Sequence, residues 1–311
     1  MENKYAPIAL FTYNRADHTQ RAVESLLMNE EAKHSDLIIF SDGPRGPEKA
    51  QGVEENRHYI STVTGFRNIE IIEREENWGL SKNLISGITE ITERYGRVIV
   101  VEDDLILSPY FLKYMNDSLE KYKDDDRVAS ICAFLNPVGT DVPETFFLRY
   151  FACWGWATWR RAWDILNTDS RELLKRLRWK KNDFNIGGTG PFYGILYCDK
   201  VGLNDSWAVR FYASCFLANK LHLYPGKTMA IQSGMDGSGT HCGTEDDNNP
   251  YKDMSVWTKP LIIPDIPVEE DRKMYKKYSA FYDERNRTPF IIAEYMRFKS
   301  FIRRLIGLDH I

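Results

Sequence analysis

Arg97-Val-Ile-Val-Val101 runs directly into Glu102-Asp103-Asp104, and that junction decides how the chain is read. Four consecutive β-branched aliphatic residues leave no face for water, so the run reads as a strand buried on both sides. Three acids then end it. In an open α/β sheet, ligands bind in the crevice outside the carboxyl ends of the strands, so these acids stand where such a sheet does its work. Adjacent carboxylates repel one another. A hard divalent cation, Mn2+ or Mg2+, offsets that crowding, taking oxygen ligands and leaving positions open for phosphates. The plain alternative is a solvated acidic turn ahead of the helix that starts near Pro109.

Toward the amino end, Ala6-Pro-Ile-Ala-Leu-Phe-Thr12, Asp36-Leu-Ile-Ile-Phe40 and Asn68–Ile72 read as further strands. Between the first two, Ala22, Val23, Leu26 and Leu27 recur at helical spacing, and helices are expected over 47–63 and 81–95. Ser41-Asp42-Gly43-Pro44 is a turn sequence closing the second strand. This alternation predicts an α/β fold with a mostly parallel central sheet flanked by helices on both faces. Past about residue 130 the pattern loosens. It holds a tryptophan-rich segment at 153–163, an expected helix at 206–219, a glycine-rich stretch at 234–243 and a charged, helical C-terminal extension over 266–311.

Composition sets the outer bounds. The 311 residues fit one large domain or about two at roughly 150 residues each. With 43% hydrophobic and 28% charged residues, the chain is not a disordered one. Forty-one basic against 45 acidic residues give a net charge of −4, which argues against a nucleic-acid backbone as partner. The 5 cysteines form no CxxC and no repeated spacing, reading as reduced thiols rather than a disulfide framework or zinc site. The first apolar run is too short for a signal peptide, and no stretch of about 18 apolar residues could span a membrane; a cytoplasmic protein is expected.

Several further stretches carry a resemblance. Ile8-Ala-Leu-Phe-Thr-Tyr-Asn-Arg15, Ser41-Asp42-Gly43, Asn77-Trp-Gly-Leu-Ser-Lys-Asn83 and Val101-Glu-Asp-Asp104 are followed by Trp154-Gly-Trp-Ala-Thr-Trp159 and by Asp205-Ser-Trp207 with Arg210. In this order and spacing the chain resembles the nucleotide-sugar glycosyltransferases of glycosyltransferase-A fold. It is most similar to the N-acetylglucosaminyltransferase I type and its bacterial sugar-transferase relatives. The likeness covers about residues 5 to 245. It implies one glycosyltransferase-A catalytic domain over 1–265, with a nucleotide-binding half to about 130 and an acceptor-binding half over 131–265.

The resemblance also implies roles. Asp104 would be the ligand to Mn2+ or Mg2+, and Glu102 and Asp103 would contact the sugar and ribose of a UDP-sugar donor. Arg15 and Asp42 would border the uridine, and Lys82 would lie where a helix approaches the nucleotide. The family has a histidine near that point, and this chain has Trp-Gly-Leu-Ser-Lys instead. Trp154 and Trp156 would lie beside the donor sugar and Trp207 beside the acceptor, a glycan or lipid-linked glycan. Trp159 and Trp163 read as core. Four glycines between Ser233 and Gly243 suit a loop that orders over a diphosphate, with His241 reaching the phosphates or the metal.

Sugar transfer with inversion needs a carboxylate to take the acceptor's proton. Asp205 matches the family's base, while an Asp before a helix is also a good N-cap. Asp199 and Asp236 are the weaker alternatives. The expected protein is thus an inverting, metal-dependent glycosyltransferase, with surface polysaccharide or another glycan as its product. Two rivals stand beside it: a sugar-1-phosphate nucleotidyltransferase and a non-catalytic sugar- or nucleotide-binding protein on the same scaffold. Thr12-Tyr-Asn-Arg-Ala16 lacks the glycines of a nucleotidyltransferase loop. From Pro289 to Ile306, apolar residues at Ile291, Ile292, Tyr295, Phe298, Ile302 and Leu305 alternate with basic ones. Such a helix packs on the catalytic body or makes a peripheral contact with an anionic membrane surface.

Overall fold

The computed structural model describes residues 4–234 and 250–286. In chain order the elements are β1 (Ile8–Thr12), α1 (Ala16–Leu27), β2 (Asp36–Ser41), α2 (Pro47–Ser61), β3 (Asn68–Glu73), α3 (Leu80–Tyr95), β4 (Arg97–Glu102), β5 (Leu105–Leu107), α4 (Phe111–Lys121) and β6 (Val128–Cys132). There follow β7 (Thr145–Leu148), β8 (Trp156–Trp159), α5 (Arg160–Trp163), α6 (Ser170–Leu177), α7 (Lys181–Phe184), α8 (Phe192–Lys200), α9 (Trp207–Leu217), β9 (Leu221–Pro225), β10 (Ala230–Gln232) and α10 (Arg272–Asn286). The α/β alternation expected of the first half is present.

The main sheet runs β3-β2-β1-β4-β8-β6-β9-β7. Its first four strands are parallel, and β6 and β9 form another parallel pair. β8 lies antiparallel between β4 and β6, and β7 lies antiparallel on the far edge. The chain winds outward from β1 to β2 and β3, then α3 carries it back to β4 on the other side of β1. The winding direction therefore reverses between β1 and β4, and a crevice opens there at the strands' carboxyl ends.

Side-chain alternation divides the core into two layers. Ala9, Phe11, Ile38 and Phe40 face α3 through Leu84, Ile88 and Ile91. Ile8, Leu10, Leu37 and Ile39 face α1 and α4 through Val23, Leu26, Leu112 and Met115. Gly87 lets α3 sit close. A Cβ there would lie 2.9 Å from Phe11 Cε1 and Cζ and from Phe40 Cε2. The start of the expected C-terminal helical region is α10, whose Met274 and Tyr278 are buried against the sheet's far side. The basic–apolar pattern of 289–306 lies outside the described residues. Among the described residues, no helix is long and apolar enough to cross a membrane.

Candidate active site

The residues singled out after β1 and β4 meet in the crevice. Arg15 Nη2 donates to Asp103 Oδ1 at 2.5 Å and to Asp104 Oδ2 at 3.0 Å. The Asp103 amide continues the β1–β4 pairing by donating to the Phe11 carbonyl at 3.1 Å, which fixes the acidic run against the end of β1. Burial works against the Arg15 charge, but Asp103 and Asp104 outweigh it and raise its pKa above the usual arginine value. Burial and then repulsion from Asp104 and Asp103 push the Glu102 carboxyl up to about 8. Burial likewise raises Asp103 to about 6, against the opposing pull of Arg15.

Among the described residues, Asp103 and Asp104 pair with the Arg15 guanidinium, while Glu102 is crowded by both acids and its carboxyl holds its proton more tightly than usual. That crowding and the all-oxygen donor set fit a hard divalent cation. Among the described residues, no group of three metal-ligating side chains forms a ready-made cage. The fit is therefore that of an ion held by one or two carboxylates and completed by substrate phosphates, the habit of Mg2+ in nucleotide sites.

The small β5–β10 ladder brings a later part of the chain to the same spot. Its register sets Gln232 opposite Leu105. The Ser233 amide then donates to the Asp104 carbonyl at 2.7 Å, and Gln232 Nε2 donates to Asp104 Oδ2 at 3.4 Å. Gly234 is packed so closely that a Cβ would meet Asp104 Oδ2 at 2.9 Å and Arg15 Nη1 at 3.2 Å. The glycine-rich stretch therefore departs from the acidic cluster itself. His241 and Asp236 lie outside the described residues.

Asp42, at the end of β2, is held by donors from the chain itself. Its Oδ1 accepts from the amides of Gly43 at 2.9 Å and Trp78 at 2.8 Å. Its Oδ2 accepts from the Gly79 amide at 2.9 Å and from Asn77 Nδ2 at 3.0 Å. Four donors fill the acceptor capacity of a carboxylate, so Asp42 fastens the 77–79 turn to the sheet edge. Gly79, at φ 72°, supplies the left-handed backbone that starts α3 there. Lys82 is exposed in the first turn of α3, its Nζ 4.2 Å from the centre of the Trp78 ring, with the Arg74 guanidinium 4.0 Å from the same ring.

Asp205 stands at the amino end of α9 with its side chain 67% exposed, and it does not cap the helix. Ser206 does, its side chain accepting from the Val209 amide. Asp205 Oδ1 accepts from Arg210 Nη2 at 2.7 Å, and Oδ2 has no hydrogen-bond partner among the described residues. The alternative base, Asp199, is only 4% exposed. It is occupied by the Ser206 amide at 2.7 Å, by Arg210 Nη1 at 3.0 Å and by the Ser170 hydroxyl, so it serves as a buried anchor. Arg210 Nη2 also donates to Ser81 Oγ at 2.5 Å, tying α9 to the first turn of α3.

Two of the tryptophan assignments are corrected. Trp156 is 0% exposed and Trp207 4% exposed, and their rings stack 5.5 Å apart inside the core. Neither presents a face to a ligand. Gly155, between Trp154 and Trp156, adopts φ 68° and breaks the extended alternation there. Trp156 then enters β8, while Trp154 remains half-buried against Phe134 and Tyr251, with ring centres 4.3 and 5.3 Å away. α9 is buried almost all round, from Trp207 through Val209–Phe216, so Trp207 at its amino end is packed inside rather than left on a surface. Trp159 and Trp163 are buried, as core residues should be.

Sequence reasoning missed a cavity of about 210 Å3 beside Asp205, lined by Trp154, Cys153, Phe192, Ser206, Ala208 and Tyr251 among others. Burial raises the Cys153 thiol well above its usual pKa, and repulsion from Glu102 and Asp104 adds to it, which sets this wall of the cavity near the acidic cluster. No local periodicity signals the cavity, because its walls come from segments far apart in the chain.

A nucleotide-type crevice with acids at its switch point describes a class of α/β enzymes, and comparison with known families narrows it. The chain belongs to glycosyl transferase family 2, whose family model matches residues 8–192. The protein is a glycosyltransferase of glycosyltransferase-A type, and the finer likeness to the N-acetylglucosaminyltransferase I type is not part of that finding. No curated protein matches the chain. Among solved structures, a mannosyltransferase, PcManGT from Pyrobaculum calidifontis in complex with GDP-Man and Mn2+, is 12% identical over 70% of this chain and 76% of its own, with TM-score 0.36. TarS of S. aureus is 14% identical over 75% of this chain but 37% of its own, with TM-score 0.40. A UDP-glucose pyrophosphorylase complexed with UDP-glucose is 10% identical over 71% of this chain and 90% of its own, with TM-score 0.37. Likeness this distant carries no argument about donor or metal, and it spans transferase and pyrophosphorylase alike.

Proposed function

We propose that the protein is an inverting, metal-dependent glycosyltransferase that moves a sugar from a UDP-sugar to a hydroxyl of a glycan or lipid-linked glycan, in the building of a surface polysaccharide. The observation that carries the reading is the crowding of three carboxyl groups at the switch point, two of them paired with Arg15 and the third, Glu102, pushed up to about 8 by burial and by its acidic neighbours. When bound, a divalent cation held by Asp104 and the donor's diphosphate would offset the charge of the departing UDP. Arg15 fixes the Asp103 and Asp104 carboxylates relative to the end of β1. Asp205 Oδ2 takes the acceptor's hydroxyl proton as that oxygen bonds to the anomeric carbon, and the bond to the diphosphate breaks with its electron pair leaving on UDP. Arg210 holds the other Asp205 oxygen and so orients the free one. The family match ends before α9, so the base assignment rests on this geometry and on the resemblance of the surrounding motif.

Calorimetry of UDP binding with and without Mn2+, on the wild type and on Asp104→Ala, tests the donor side. Manganese-dependent binding that Asp104→Ala abolishes is the expected result, and absence of UDP binding in either condition overturns the reading. With a working donor and acceptor, Asp205→Asn should lower transfer by roughly 10²–10⁴-fold while UDP binding persists. A module that only binds would show neither transfer nor any response to that substitution.

A further inference from the structure

The cavity beside Asp205 has a chemistry distinct from that of the rest of the crevice. Its walls come from the segments after β6 and before β8, from α8 and α9, and from Tyr251 and Tyr282. Among the described residues, no charged side chain lines it. Aromatic rings dominate: Phe134, Tyr150, Phe151, Trp154, Phe192 and Tyr212. The tyrosine hydroxyls nearby are spoken for. Tyr282 donates to the Tyr150 hydroxyl at 2.9 Å, Tyr251 to Asn136 Oδ1 at 3.2 Å and Tyr212 to the Phe184 carbonyl at 2.7 Å.

We propose that this cavity holds the neutral, ring-shaped part of the acceptor, a single uncharged sugar ring. The proposal rests on the glycosyltransferase reading above and names the acceptor class for that site. Three observations carry it. At about 210 Å3 the space falls below the roughly 300–1,000 Å3 of drug-sized sites, so it takes about one ring. Rigid aromatic faces suit the C–H face of a pyranose. Among the described residues no cationic side chain lines the cavity to pair with a phosphate or uronate carboxylate, which disfavours an anion there. Position supplies the rest: Ser206 lines the cavity and directly follows Asp205, so the proposed base is one residue from the cavity wall.

The test uses the full chain and a panel of neutral methyl glycosides of the common hexoses and N-acetylhexosamines, with the corresponding sugar 6-phosphates. Binding is read by saturation-transfer NMR in the presence of UDP and Mn2+. At least one neutral glycoside should show transfer to its ring protons, and its phosphate should show none. Ala208→Phe, which adds a ring inside the cavity, should abolish the signal, and Ile195→Phe, from the opposite helix, should weaken it independently. Retained UDP binding and an unchanged circular dichroism spectrum show that each variant is folded. No binding by any neutral glycoside, equal binding of the phosphates, or a signal untouched by both variants would overturn the proposal. Displacement of the glycoside by a UDP-sugar but not by UDP would put the donor's sugar in the cavity and also overturn it. UDP binding without glycoside binding sinks this inference alone, whereas glycoside binding without UDP binding sinks the donor assignment alone.

Discussion

Gly87→Ala pits two opposing effects of known size against each other at the helix that carries the Trp78–Ser81 turn. In a helix interior Ala is favoured over Gly by about 0.8–1 kcal/mol. Against this, the new Cβ would lie 2.9 Å from two atoms of Phe11 and one of Phe40, where carbon contacts prefer about 3.5–4.0 Å. Either the rings or the helix must give by about 0.6 Å or more. The rings have little room, because they stack on each other at 5.0 Å and are 3% and 0% exposed. Overpacking of this kind costs about 1–3 kcal/mol, and pinned rings put the cost toward the upper end. The net expectation is destabilisation by about 1–2 kcal/mol, or a fall in Tm of about 2–8 °C at about 2–4 °C per kcal/mol for larger domains.

Urea unfolding followed by circular dichroism measures the change, and a double-mutant cycle with Phe40→Leu identifies its cause. Removing the ring that the methyl strikes should relieve part of the penalty, giving a coupling energy of about 0.5 kcal/mol or more. If Gly87→Ala is as stable as the wild type or more so, α3 is not seated on the sheet by close approach. If the cost is the same in both backgrounds, the strain lies elsewhere than at Phe40.

Asp42→Ala removes the acceptor for three backbone amides and the Asn77 amide; at about 1–3 kcal/mol per buried unsatisfied group, softened by water at the sheet edge, it should cost about 3 kcal/mol. Amide exchange should quicken at Trp78 and Gly79, and unchanged protection there would refute the fastening role. His222 is buried, bonded through Nδ1 to Ser130 Oγ at 2.7 Å, and burial lowers its pKa to about 3. The folded protein therefore stays unprotonated there while the unfolded chain binds a proton below about 6.5, so stability contributed by His222 is complete above that pH and falls by up to about 1.4 kcal/mol per unit as pH drops toward 3. The difference in urea stability between wild type and His222→Phe should shrink over this window, and a constant difference would contradict the assignment.

The parallel half was legible because its strands are buried on both faces. Ile8–Thr12, Asp36–Ser41 and Arg97–Glu102 are continuous apolar runs ended by turn or acidic residues, and only a sheet covered on both sides makes that pattern. The second half was not, because its strands are short and enter the sheet out of order. β8 takes the place beside β4 only through long-range pairing that no local periodicity encodes. The same cause misled the tryptophans: a period of two holds within β8, but Gly155 in the left-handed region turns the chain between Trp154 and Trp156. Charged residues at strand ends were legible, since their position follows from the strand. What each carboxylate contacts was not: Asp42 at a strand end and Asp199 within α8 look like site residues in sequence, and both accept from several donors of the chain itself.

That contrast gives the site its physical logic. Asp42 holds Trp78 and Gly79, the first turn of α3 presents Ser81 to Arg210, and Arg210 holds both Asp199 and Asp205. One helix start thus ties the sheet edge next to the acidic cluster to the amino end of α9. The carboxylates spent inside this chain of contacts are shielded and saturated, and their value is to fix geometry. The ones outside it are the crowded Glu102, Asp103 and Asp104, which share the Arg15 guanidinium between them, and the outer oxygen of Asp205. Unspent charge at a rigid crevice is costly to the fold. Its retention beside an aromatic cavity is what the proposed transfer would use: a place for anionic leaving group and cation, a place for a proton, and a seat for a sugar ring.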